Sequence, residues 1–166
     1  GVHDQAGAVG LLRAVGALSV LGTMFVLDDA TRMFSDPTQL SARYRLLVRL
    51  SIALMVTAVG FAAASLALGA RVSAAELAGV ALELVTATLL GLAVAAVALR
   101  WHGVDEPGVL AAPAVITGLL MSQLLPRRLA LLPPPGPEWA AAHGRWVLLL
   151  VLAVTCLAVA SRDLAE

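Results

Sequence analysis

Lysine and asparagine are absent from this 166-residue chain, and charge of either sign is scarce. Only 13% of the residues are charged, where a soluble domain carries roughly a quarter. A Walker A phosphate loop depends on a lysine that reaches the phosphates. The chain has none, so nucleotide binding of the ordinary P-loop kind is excluded. The net charge is zero, which removes any bulk electrostatic argument for nucleic acid. Cys156 is the single cysteine. It can form no internal disulfide, one thiol makes no metal site, and it reads as a small packing residue. No HExxH is present and the three histidines are far apart, so zinc is not expected. No GxSxG elbow occurs, nor any evident pair of groups for an intramembrane hydrolase. The expectation is a chain that is not an enzyme and holds no cofactor or metal of its own.

Apolar residues are what the chain does have. They make up 60% of it, and the mean hydropathy is +0.93. A water-soluble fold of this size cannot hide so much apolar surface, and lipid is the solvent that fits. A spanning helix needs about 20 mostly apolar residues. Five runs are visible, at 6–27, 46–69, 74–99, 108–125 and 146–161. The fold class expected is all-α, a polytopic transmembrane helix bundle forming one domain over residues 1–166. Arg13 interrupts the first run and no small-residue cleavage site follows, so a signal peptide is not expected.

The polar stretches between the runs are informative. Residues 28–45, DDATRMFSDPTQLSARYR, form the most polar interior segment. Asp36 can cap free backbone N–H groups and Pro37 suits a first helical position, which predicts a short interfacial helix leading into the second span. Such an elbow suits docking of a soluble partner, against the plainer reading of a solvated loop. Pro107 marks another helix start, and Pro113 predicts a kink or break near Ala112. Pro133 to Pro137 cannot be regular helix, which makes 126–145 an extended connection with one or two interfacial turns near Trp139. Trp101, Trp139 and Trp146 fall at run ends, where tryptophan favours the membrane interface.

Four charges sit inside apolar runs; Arg49 and Glu76 lie within a turn of a run end, and Arg13 and Glu83 lie deeper, where they are costly. Glu83 is either a proton or substrate site or a polar contact with another helix, with Arg13 or Thr86 as candidate partners. Glu76 is nearer a run end and is expected to be solvated. If 28–45 is cytoplasmic, that side also receives Arg49, Arg100 and Arg162, and the other receives Arg13, Arg71, Arg127, Arg128 and Arg145. The positive-inside rule then gives only a slight lean.

The chain resembles a family. The segments LDDATRMFSDPTQLSARYRLLVRL, DEPGVLAAPAV, LLPRRLALLPPPGPEW and HGRWVLLLVLAVTCLAVASRDLA, taken in order, are similar to permease subunits of actinobacterial ABC-2-type transporters. An arginine-only, Ala/Leu/Val/Gly-rich composition agrees with a high-GC coding bias. The resemblance covers nearly the whole chain and contains no catalytic signature. It implies a multi-pass protein of the bacterial cytoplasmic membrane that pairs with a second copy or a related permease. It also implies two cytosolic ATP-binding subunits, which carry the ATP and Mg. Closure of those subunits would push a coupling helix, matched here by Asp28, Asp29, Arg32, Asp36, Pro37, Arg43 and Arg45. The connection from Arg127 to Arg145 would match an outer re-entrant or interfacial hairpin. The family has about six spans, so its first would lie upstream of Gly1, or this is a reduced version. A hydrophobic or amphipathic substrate suits the lining. The alternatives are a non-transporting accessory or scaffold subunit, which would use the same elbow, and a proton-coupled carrier using Glu83.

Overall fold

The computed structural model describes residues 2–25, 42–102 and 106–162. They are all-helical, in five α-helices: α1 Val2–Phe25, α2 Ala42–Leu68, α3 Ala74–His102, α4 Pro107–Gln123 and α5 Trp139–Arg162. Single 3-10 turns, Gly69–Arg71 and Arg127–Leu129, lie in two of the connections. No strand occurs among the described residues. Three helices contain stretches long and apolar enough to cross a membrane: Gln5–Phe25, Ala74–Ala98 and Trp139–Ala160. The apolar parts of the other two are shorter, Leu54–Leu68 and Pro107–Gln123. Helix α2 opens with Arg43, Arg45 and Arg49, and these basic residues precede its apolar part.

Several local signals explain the helix ends. Gly69 follows α2 at φ +56°, a left-handed conformation that favours glycine just past a helix end. Ser73 and Glu76 form a capping box at the start of α3. The Ser73 N–H donates to Glu76 Oε2 at 2.8 Å, and the Glu76 N–H donates to Ser73 Oγ at 3.3 Å. Pro107 occupies the first turn of α4, where a missing N–H costs nothing. Helix α4 runs through Pro113 as one element from Pro107 to Gln123, so the break expected near Ala112 does not occur.

The last helix is longer than the sequence suggests. Residues 139–145, expected to belong to the outer connection, are the first two turns of α5, and the connection is confined to 124–138. Pro137 stops helix upstream of Trp139, and no proline follows to separate Trp139 from Trp146.

Helix α3 is central. Of its apolar window 56% is buried, against 17% for α5. It runs parallel to α1: Gln5 meets Glu76, Arg13 meets Glu83, and Gly16 lies against Leu84. It also runs parallel to α5, whose Trp139 and His143 rings close on Gly79. Small residues permit this spacing. Helix α2 packs beside α1, with Gly60 near Ser19 and with Phe61 and Leu68 against a cluster of Val9, Leu12 and Val80. Val20, Met24, Leu84, Ala87, Ala111 and Trp146 form the main core. The bundle thus has two ends. One gathers the start of α1, the 69–73 turn, the 124–138 connection and the start of α5. The other gathers Phe25, Ala42, His102, Pro107 and Arg162.

Candidate functional site

Arg13 and Glu83, the charges deepest in the apolar helices, come together towards the connection end. Arg13 and Glu83 form a two-pronged ion pair: Nε donates to Glu83 Oε2 at 2.7 Å and Nη2 to Oε1 at 2.5 Å. Both are largely buried, their side chains 16% and 5% exposed. A guanidinium matches a carboxylate in this fork geometry and keeps a further nitrogen free to donate. That nitrogen, Nη1, donates to the carbonyls of Pro133 at 2.9 Å and Leu132 at 3.3 Å. Arg13 therefore joins α1, α3 and the proline-rich connection through one planar group. Its Cζ also lies 5.2 Å from the Trp139 ring centroid, within cation–π range.

The connection needs such donors. Prolines supply carbonyls and no N–H groups, and buried carbonyls must be satisfied. Helix α5 provides the rest. Arg145 donates to the Arg128 and Ala130 carbonyls at 2.7 and 2.8 Å, and Trp146 Nε1 donates to the Leu131 carbonyl at 2.7 Å. Pro133 is buried as a result. The connection is folded back onto the bundle end rather than simply extended. Trp146, which its run-end position assigns to the interface, is 1% exposed and belongs to the protein interior.

His143 completes the cluster. Its Nδ1 lies 2.8 Å from the Trp139 carbonyl, one helical turn back. Because a carbonyl only accepts, Nδ1 carries the hydrogen. Its Nε2 points towards Glu83 Oε1 at 3.4 Å and makes no hydrogen bond. The Trp139 and His143 rings are stacked at a tilt, their centroids 4.4 Å apart.

A second polar group lies nearer the helix starts. Glu76 is buried, not solvated. It accepts from Gln5 Nε2 at 2.9 and 3.0 Å and from the Ser73 backbone and hydroxyl. The Ser73-Ala-Ala-Glu76 spacing is a legible capping signal, and it would have placed Glu76 at a helix start. The approach of Gln5 has no local signal, because it depends on α1 and α3 being parallel.

Thr86, the other partner considered for Glu83, is fully buried and its hydroxyl has no hydrogen-bond partner. Ser19, Thr23, Thr88 and Ser122 instead donate to carbonyls three or four residues back in their own helices, the usual outlet for a hydroxyl without water. Asp28, Asp29, Arg32, Asp36 and Pro37 lie outside the described residues. Arg43 and Arg45 fall in the first turn of α2, and Trp101 near the end of α3, with side chains outside the description. Cys156 is a half-buried free thiol on α5. No cluster of three or more His, Cys, Asp or Glu able to hold a metal ion occurs among the described residues.

Beside the ion pair lies a cavity of about 70 Å³. Its walls come from α1, α3 and α4, and Arg13, Glu83, Leu132 and Trp146 border it.

Fold and site together define, among the described residues, an all-helical bundle with three helices long and apolar enough to cross a membrane and a buried charge pair towards one end. Comparison with protein-family models, curated proteins and solved structures returned no match.

Proposed function

We propose that this chain is the membrane-spanning permease subunit of an ABC-2-type transporter in a bacterial cytoplasmic membrane. It would move a hydrophobic or amphipathic substrate when driven by a separate ATP-binding subunit. The observation that carries the reading is the two-ended character of the bundle. One end is tied together by Arg13, Glu83 and the folded-back connection. The other is where α1 and α2 approach the polar segment that joins them. A push on that segment would reach two helices at once and move the tied bundle as a body. The resemblance of residues 28–45 to a coupling helix gives that end its assignment. The apolar outer face of α5, with Leu148 and Leu152 exposed, suits lipid or a second permease copy.

The accessory-subunit alternative uses the same segment without a substrate path. The proton-carrier alternative is less well supported, because both Glu83 oxygens are already engaged by Arg13. The test is purification of the tagged, gently solubilised chain. An ATP-binding subunit should accompany it, and charge reversal at Asp28, Asp29 and Arg32 should uncouple ATP hydrolysis from transport. Absence of any ATPase from the purified complex would remove the proposal, and an ATPase partner without transport would favour the accessory role.

A further inference from the structure

We infer that the cavity beside the Arg13–Glu83 pair is a binding site for one alkyl chain, the acyl tail of a membrane lipid entering sideways between α1 and α4. The inference needs only a membrane around the helices, so it stands or falls separately from transport.

Size is the first argument. At about 70 Å³ the space is several times the roughly 10–15 Å³ that one water requires. The second argument is chemistry. The wall is apolar apart from the ion pair, with Val20 on α1, Ala87 on α3 and Val115 on α4. Water needs several polar partners to stay in such a place. Arg13 and Glu83 offer few, because each spends its donors or acceptors on the other and on the connection carbonyls. For the same reason the cavity contains no free charge to recognise a headgroup. A chain end fits where a charged or polar ligand does not.

Access is the third argument. The exposed parts of the wall are Ala17 on α1 and Ile116 on α4. Around them Leu18 and Leu120 are also exposed, so the mouth opens onto an apolar outer surface. Towards the connection end the path is closed by Arg13, Leu132 and Trp146. A ligand therefore arrives tail first from the hydrocarbon and leaves its polar head outside.

Trp146 is the reporter, because its ring borders the cavity and is almost fully buried. With Trp101→Phe and Trp139→Phe it becomes the sole tryptophan of the full chain. The protein is reconstituted in vesicles of phosphatidylcholine brominated near the middle of its acyl chains, since bromine quenches indole on contact. Trp146 emission should lose a large part of its intensity relative to unbrominated vesicles, because a chain held in the pocket brings its bromines against the buried ring. Aqueous acrylamide should leave it unchanged. Filling the cavity from one wall with Ala87→Leu, or from another with Val115→Phe, should restore most of the emission. Two fillers on different helices keep the test intact if one fails to reconstitute. Unquenched emission, or equal quenching in a folded filled variant, would overturn the inference and leave an ordinary packing void.

Discussion

Arg13 shows how much one side chain can hold. Four hydrogen bonds leave it, two to Glu83 and two to the connection. Removing one partner of a buried pair leaves an uncompensated charge, and the loss is typically about 3–5 kcal/mol. Replacing both partners with apolar groups of similar size is often neutral. Arg13→Ala should therefore destabilise the protein strongly, while Arg13→Met combined with Glu83→Leu should recover part of the loss, the Pro133 carbonyl still lacking its donor. Arg13→Lys should fall between, because an ammonium cannot serve the carboxylate and the connection in one plane. Denaturant unfolding in mixed micelles measures all three. A double variant as unstable as Arg13→Ala would show that packing, not charge compensation, dominates at this position. The charged pair was legible as two costly residues in apolar runs, and Arg13 stood among the partners open to Glu83. The remaining members were not legible. Trp139 and His143 fall on what reads as one or two interfacial turns, and only the longer α5 carries His143 to Glu83 and Trp139 to Arg13.

Among the elements, α3 and its two parallel neighbours set the spacing of the bundle, through glycine at two close approaches. A Cβ on Gly79 would lie 2.5 Å from His143 Nε2 and 2.8 Å from Trp139 Cζ2. Both are atoms of rigid rings held by hydrogen bonding or stacking. A Cβ on Gly91 would overlap the Sδ and Cε of Met24, the far end of a flexible chain that can move aside. Gly79→Ala should therefore cost about 1–3 kcal/mol, the usual range for overpacking. Gly91→Ala should cost under about 1 kcal/mol, since Met24 can shift and alanine favours helix. The same unfolding measurement ranks them, and the reverse order would contradict the α3–α5 packing. Pro107 announced its helix start in sequence, and the Ser73–Glu76 spacing is equally legible there, although Glu76 reads as solvated. Pro113 leaves a kink or a break open, and α4 continues through it unbroken, because a proline restricts a helix locally without having to end it.

For the whole molecule, helix direction is the quantity to test. Exposed positions Arg71 and Leu124 lie at one end of the bundle and Glu106 at the other. In a Cys156→Ala background, single cysteines there should react with an impermeant maleimide from opposite sides: Arg71→Cys and Leu124→Cys together, Glu106→Cys apart. Labelling of Leu124→Cys and Glu106→Cys from the same side would mean that α4, only 17 residues long, does not cross.

Composition and hydropathy alone determined that the chain is helical and apolar enough to cross a membrane, because backbone groups in lipid must be satisfied within each segment. The missing lysine alone removed the P-loop. Those properties are local, so they are written in short stretches of residues. Which helices lie side by side, and in which direction, is set by contacts between residues some seventy positions apart, such as Gln5 with Glu76 and Arg13 with Glu83. Only the tertiary structure decided that the proline-rich connection folds back, that Glu76 and Trp146 are buried, and that one arginine ties the end of the bundle. Each of those outcomes needs a donor on one helix to meet an acceptor on another helix or on the connection, far away in the chain.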